Sequence, residues 1–260
     1  MQKCKMLLTV LCAAVLLVGC GKKEQPVFTS PPDTTQPSET AKAPLTAEEL
    51  AEMRRRVLRQ TVEDFAYELV LPDGRQARLD SGFGAMEGNR FAFQDVDGDG
   101  AEELVLSFST CSMAEMALYV CGFDGESVTQ KLVEFPAVTF YPGGMAVAEM
   151  SHNQGLAGDD MWPYHVYTYD RDTGAYCQSV TVDGWDRTLA ETNYNGEPFL
   201  EHIDLDGDGY VYLISRDGVT RYLDGPDYEA WREDQGLAAD PLEVTYYPVS
   251  RDNIRAAFNR

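Results

Sequence analysis

Apolar residues recur at helical spacing in the segment LTAEELAEMRRRVLRQTVEDF, which begins at Leu45. The apolar positions that share one face are Leu50, Met53, Val57, Leu58, Val62 and Phe65. Thr46 precedes Glu49 by three residues, which is the spacing of a capping box at a helix N-terminus. The pattern therefore predicts an amphipathic helix over residues 47–66 that packs one face on a folded domain.

From Leu69 onward the apolar period changes to two, and Gly, Asp and Asn interrupt the pattern often, which is typical of short antiparallel strands joined by turns. The predicted strands are 90–94, 103–109, 116–123, 128–135, 145–150, 164–169, 175–182, 199–203, 211–215, 219–222 and 242–247. Two short helices are predicted over 226–235 and 250–258, and Ser250 is the N-cap candidate of the second. The fold class is thus mainly β (α+β), with an antiparallel domain that is either a partial propeller or a meander.

The first 20 residues, MQKCKMLLTVLCAAVLLVGC, place two lysines before an apolar run that is too short to span a membrane stably. Residues 1–19 are predicted to be a signal peptide. The sequence around Gly19 and Cys20 resembles the lipobox of bacterial lipoproteins, and this resemblance implies cleavage before Cys20 and lipidation of its sulfur. Residues 20–45, rich in Pro, Thr and Ser, are then a disordered linker, and residues 46–260 form the domain. The expected location is the extracytoplasmic face of the cell membrane.

The chain is strongly acidic, with a formal charge of −22 that becomes −24 when residues 1–19, with two lysines and no acid, are removed. This charge argues against nucleic acid as a partner, because nucleic-acid binding needs clustered Lys and Arg. Cys111, Cys121 and Cys177 remain in a compartment that permits disulfides. A bond between Cys111 and Cys121 and free buried thiols are both compatible with the sequence.

The segment FAFQDVDGDGAEELVLSF places carboxylates at alternate positions between two strand patterns. Calcium takes six to eight oxygen ligands, which a loop with this spacing can supply, and glycine allows the sharp turn. An EF-hand needs a glutamate at the twelfth position, where this chain has Leu106, and helical flanks in place of alternating ones. We therefore predict a calcium loop on a β-hairpin, and we call it loop 1 (residues 95–103).

Loop 1 resembles the calcium-binding loops of FG-GAP and VCBS-type repeats of extracellular proteins. The resemblance implies that the ion is held by Asp95, Asp97, Asp99, Glu103 and the carbonyl group of Ala101.

A second loop with the same spacing, loop 2 (residues 204–212), contains DLDGDGYVY. Its expected ligands are Asp204, Asp206, Asp208 and the carbonyl group of Tyr210. Tyr212 stands where loop 1 has Glu103, so we expect loop 2 to bind calcium more weakly than loop 1.

The stretch SHNQGLAGDDMWPYH concentrates polar and aromatic side chains in a loop between two predicted strands. With FYPGGMAV, VDGWDR and DYEAW, it resembles a group of uncharacterised lipoproteins of Gram-positive bacteria, a resemblance that implies no activity. The candidate ligand-binding residues are His152, Asn153, Asp159, Trp162 and His165. Three interpretations remain open, namely a hydrogen-bonded loop, a binding surface, and a metal site formed by His152, Asp159 and His165.

The familiar motifs of hydrolases and phosphate-binding enzymes do not occur in the sequence. The sequence therefore favours a lipid-anchored surface protein with a calcium-stabilised β-rich domain that binds an envelope or extracellular ligand without catalysis. The alternative function is an extracytoplasmic metal-dependent hydrolase that uses the loop from His152 to His165.

Overall fold

The computed structural model describes residues 45–152 and 154–258. The described part contains three helices, α1 (Ala47–Glu68), α2 (Gly225–Gln235) and α3 (Arg251–Phe258). Its strands are β1 (Arg90–Gln94), β2 (Glu103–Phe108), β3 (Ala117–Phe123), β4 (Val128–Glu134), β5 (Val138–Tyr141), β6 (Met145–Glu149), β7 (Tyr164–Asp170), β8 (Ala175–Asp186), β9 (Tyr210–Arg216), β10 (Val219–Leu223) and β11 (Tyr247–Pro248). The predicted β-rich α+β class is confirmed.

The strands form two antiparallel sheets. The first has the order β11-β1-β2-β3-β4, and the second has the order β10-β9-β8-β7-β6-β5. Within each sheet, strands that follow one another in the chain lie side by side, and β11 returns to the edge of β1. The sequence allowed a partial propeller or a meander. Both sheets follow a meander order, with β11 added at one edge of the first sheet.

The helix α1 begins with the predicted capping box, in which Thr46 and Glu49 exchange hydrogen bonds between side chain and backbone. Its buried face presents Leu58, Val62 and Phe65 to the first sheet. The helix α3 begins after Ser250, whose hydroxyl accepts the Asn253 N–H at 3.2 Å. Both helices cover the same face of the first sheet, because their apolar residues share one core with that face.

Three apolar interfaces stack the domain into layers. The opposite face of the first sheet, including Ala92 and Val105, packs against Phe140 and Tyr176 of the second sheet. The other face of the second sheet packs against α2 through Tyr228. The order is thus α1 and α3, first sheet, second sheet, and α2.

Three strand predictions differ from the structure. The strand β5 was not predicted. The segment 242–247, predicted to be a strand, is irregular except at Tyr247, where the short strand β11 begins. The strand expected over 199–203 is wrong, because residues 199–200 are irregular and residues 201–203 form a turn. Phe199 and its apolar neighbours pack on Trp185 as a cover for the second sheet, which also explains their apolar character.

Cys111 and Cys121, the pair that the sequence allowed to form a disulfide, are free thiols in the structure. Cys111 and Cys121 are buried and Cys177 is half-buried. Burial raises the pKa of Cys111 to about 11 and that of Cys121 to about 12, so both thiols stay protonated at neutral pH and react slowly.

None of the helices in the described part has both the length and the apolar character that a membrane span requires. The predicted signal peptide, the predicted lipidation site Cys20, most of the predicted linker and Asn153 lie outside the described residues.

Candidate cation sites

In loop 1 the aspartate side chains fold back onto the backbone of the loop. Asp95 accepts the N–H groups of Gly98 at 2.7 Å and Gly100 at 3.0 Å, and Asp97 accepts the N–H of Asp99 at 3.0 Å. Both glycines have positive φ angles, 74° and 91°, which glycine adopts without steric cost. This turn brings one carboxylate oxygen from each of Asp95, Asp97 and Asp99 within 4.8 Å of the others.

Glu103 lies outside that group of three. It is 1 % exposed, and its two carboxylate oxygens accept hydrogen bonds from the Val96 N–H at 3.1 Å and from the Lys131 ammonium at 2.8 Å. Burial raises the pKa of Glu103 to about 7, against the opposing effect of Lys131. Ala101 donates its N–H to Asp99 at 2.8 Å, and the role of its carbonyl group as a ligand stays a prediction.

Lys131, on β4, is a partner of loop 1 that sequence reasoning missed. Its ammonium group forms ion pairs with Asp97, with Asp99 at 3.3 Å and with Glu103. Although burial lowers it, the pKa of Lys131 is raised above its usual value by the hydrogen bonds to Asp97 and Glu103. Loop 1 therefore contains a positive charge supplied by the chain itself.

Loop 2 repeats the backbone arrangement of loop 1. Asp204 accepts the Gly209 N–H at 3.1 Å, Asp206 accepts the Asp208 N–H at 3.2 Å, and Asp208 accepts the Tyr210 N–H at 2.8 Å. The shared D-x-D-x-D-G spacing thus produces the same local turn twice. The carboxylate of Asp208 is not among those that converge, and the role of the Tyr210 carbonyl group as a ligand stays a prediction.

The third carboxylate of loop 2 comes from Asp224, which sequence reasoning missed. Asp204, Asp206 and Asp224 each place one carboxylate oxygen within 4.8 Å of the others. Asp224 occupies the N-cap of α2 but makes no capping hydrogen bond with its side chain; it accepts the N–H of Leu205 at 3.2 Å instead. Asp224 therefore supplies the acidic group that loop 2 lacks at Tyr212.

Two oxygen atoms of the loop 2 group have no hydrogen-bond partner. Asp204 is 8 % exposed and Asp224 is 5 % exposed. One oxygen of each is hydrogen-bonded, but Oδ1 of each is buried and accepts no hydrogen bond. No Lys or Arg side chain of the described residues forms an ion pair with either. Because an unpaired buried carboxylate is costly, the donor set fits a bound cation.

The loop from His152 to His165 does not assemble the proposed metal site in the described residues. His152 is hydrogen-bonded to Ser151 at 2.5 Å, and Asp159 accepts a hydrogen bond from Gln154 at 3.5 Å. His165 lies on β7 with its Nδ1 3.0 Å from the Thr181 hydroxyl. Groups of three metal-binding side chains occur at two places in the described part, and neither contains a histidine.

This loop nevertheless lies beside two cavities that share Met150 in their walls. One, of about 350 Å³, is lined by both His152 and His165. The other, of about 130 Å³, includes Asp183 on its floor. Trp162 donates its indole N–H to the carbonyl group of Met150. Of the candidate residues, His152 and His165 therefore line the larger of the two cavities, and Trp162 is linked to it through Met150.

Comparisons with protein-family models, with curated proteins and with solved structures gave no match for the chain.

Proposed function

We propose that the protein is a lipid-anchored, extracytoplasmic binding protein whose β-rich domain is stabilised by one calcium ion at loop 2. The observation that carries the calcium site is the pair of buried, unpartnered carboxylate oxygens on Asp204 and Asp224, next to Asp206. Non-catalytic binding of an envelope or extracellular ligand is supported by the cavities beside Met150.

Calcium is the cation that suits this donor set best. The group consists of carboxylates alone, and calcium prefers hard oxygen ligands, whereas zinc prefers sites that contain nitrogen or sulfur. Asp206 is exposed while its two partners are buried, so water can complete the coordination shell from the Asp206 side. Extracellular calcium sites function at dissociation constants of about 10⁻⁴ to 10⁻³ M.

A cation at loop 2 stabilises the fold because its ligands belong to different elements. Asp204 and Asp206 precede β9, whereas Asp224 lies between β10 and α2. An ion shared by these residues ties the start of α2 to the edge of the second sheet. At calcium concentrations one to ten times the dissociation constant, binding adds about 0.4 to 1.4 kcal/mol to the free energy of unfolding.

The melting temperature of the purified protein should rise by about 1 to 6 °C between chelator and millimolar calcium, since about 1 kcal/mol shifts Tm by 2–4 °C in a domain of this size. Differential scanning calorimetry measures the shift, and equal concentrations of magnesium provide the control, because magnesium loses its water less readily. An unchanged Tm in calcium, together with no bound calcium after dialysis, would exclude the proposed site.

The anchor is supported by the sequence around Cys20, and it is tested by Cys20→Ser. We expect this variant to lose its lipid and to leave the membrane fraction, because stable anchoring needs the acyl chains. Labelling with a radioactive fatty acid and membrane fractionation measure the loss. Cys12→Ser, in the same leader, is the matched control and should stay anchored. Equal lipidation of wild type and Cys20→Ser would contradict the assignment of this cysteine.

A further inference from the structure

The ammonium group of Lys131 lies among three carboxylates of loop 1. It contacts Asp97, lies 2.8 Å from Glu103 Oε1, and lies 3.3 Å from Asp99 Oδ2. The Lys131 side chain is 8 % exposed, and those of Asp97 and Glu103 are 0 % and 1 % exposed. It also lies 4.9 Å from the centroid of the Tyr169 ring. Lys131 is the only lysine in residues 43–260, so this position holds the domain's single ammonium group.

The backbone is arranged to deliver Lys131 to this position. The register between β3 and β4 shifts there, because Val120 pairs with Leu132 and Cys121 pairs with Gln130. Lys131 is therefore the extra residue of a β-bulge, a feature that redirects a side chain.

Gly122, on the neighbouring strand, provides the path for the Lys131 side chain. A Cβ atom at position 122 would lie 2.3 Å from Lys131 Cε and 3.2 Å from Cδ. Any larger residue at position 122 would therefore block the approach of Lys131 to loop 1.

We propose that Lys131 is the permanent cation of loop 1, so that the protein takes up one exchangeable calcium ion, at loop 2, and not two. The count of one rests on the proposed function, whereas the exclusion of calcium from loop 1 does not. A divalent ion held by the converging carboxylates of Asp95, Asp97 and Asp99 would share Asp97 and Asp99 with the ammonium group, and two positive charges on the same carboxylates repel each other strongly in a buried site.

The hydrogen bonds of loop 1 support the same conclusion. Both oxygens of Glu103 are engaged, by Lys131 and by the Val96 N–H, and Asp97 accepts hydrogen bonds on both of its oxygens. In loop 2 the opposite holds, since Asp204 and Asp224 each keep one buried oxygen without a partner. The two loops share a sequence pattern, but loop 1 holds an ammonium group paired with three of its carboxylates, whereas the converging carboxylates of loop 2 have no such partner among the described residues.

The number of calcium ions bound to wild type and to Lys131→Met tests the proposal, because methionine keeps an unbranched side chain and removes the charge. Isothermal titration calorimetry should give one site for wild type and two for Lys131→Met. Two sites in wild type, or a folded Lys131→Met that gains none, would overturn the proposal. No site in wild type and one in Lys131→Met would overturn the loop 2 assignment alone and leave the exclusion of calcium from loop 1 intact.

A measurement on wild type decides the question even if Lys131→Met does not fold. Acetylation by an amine-reactive ester, read by mass spectrometry, should leave Lys131 unmodified in the native protein at every calcium concentration. Denatured protein is the control, in which Lys131 should be fully modified. If calcium made Lys131 reactive, the ion would be displacing the ammonium group from loop 1, and the proposal would be wrong.

Discussion

Replacing Asp224 by asparagine should weaken calcium binding about tenfold or more, because the charge of the ligands sets the affinity of such sites. At a calcium concentration ten times the wild-type dissociation constant, a tenfold loss reduces the stabilisation from about 1.4 to about 0.4 kcal/mol. Isothermal titration calorimetry measures the affinity, and thermal unfolding with and without calcium measures the stabilisation.

The same substitution should have the opposite effect in chelator. There, wild type has two buried carboxylates with unpartnered oxygens close together, at Asp204 and Asp224. Asparagine removes one of the two charges and retains an oxygen for the Leu205 N–H, so Asp224→Asn should be at least as stable as wild type. This change of sign between the two conditions distinguishes an ion site from a purely structural role.

Asp227→Asn is the matched control for Asp224→Asn. Asp227 lies in the first turn of α2 and is exposed, so its replacement removes the same charge from the same helix end without touching loop 2. It should leave calcium affinity within about twofold of wild type, since exposed charges interact weakly. If Asp224→Asn bound calcium as tightly as Asp227→Asn, Asp224 would not be a ligand.

The parts of the site that the sequence predicts are those formed by neighbouring residues. The spacing of Asp95, Asp97 and Asp99 is enough to predict the turn, because each aspartate hydrogen-bonds to a backbone N–H two to five residues away. Lys131 reaches loop 1 from β4, and Asp224 reaches loop 2 from the start of α2. No pattern within the loops indicates either contact. The sequence does place Asp224 at a helix start, directly before Gly225-Pro226, but it does not show that this helix start lies beside loop 2.

The fold, like the site, could be predicted where neighbouring residues determine the local structure. The helix α1 has a capping box and a regular apolar face, so its start at Ala47 followed from the sequence. The segment 199–203 resembles a strand because Phe199 and Leu200 are apolar, but these residues cover Trp185 from an irregular segment. An apolar pattern reveals that a residue is buried, and it does not reveal whether a strand or a loop buries it.

Gly144→Ala should destabilise the domain by about 3 kcal/mol or more, because loop 1 packs directly on the turn between β5 and β6. A Cβ atom at position 144 would lie 2.5 Å from the carbonyl oxygen of Asp97 and 3.1 Å from Tyr169 Cβ. The φ angle of Gly144 is 75°, which adds about 1 to 2 kcal/mol for any residue with a side chain. Chemical denaturation followed by tryptophan fluorescence measures the loss.

Gly143→Ala separates the contact from the backbone strain. Gly143 has a φ angle of 83°, close to that of Gly144, but a Cβ atom there would have no neighbour within 4 Å. We expect this variant to lose only the strain energy, about 1 to 2 kcal/mol, so the difference between the two variants measures the packing of the turn on loop 1. Equal losses would mean that the close approach of Gly144 to Asp97 does not constrain the residue at position 144.

Loop 1 also makes hydrogen bonds with residues of β8 and of the turn that precedes it. Tyr176, on β8, donates its hydroxyl to the Val96 carbonyl at 2.8 Å, and Arg171 donates to the Gly98 carbonyl at 2.8 Å. Loop 1 is thus held by the second sheet on one side and by Lys131, from the first sheet, on the other. A loop fixed in this way joins the two sheets, and its aspartates serve that joint whether or not calcium is present.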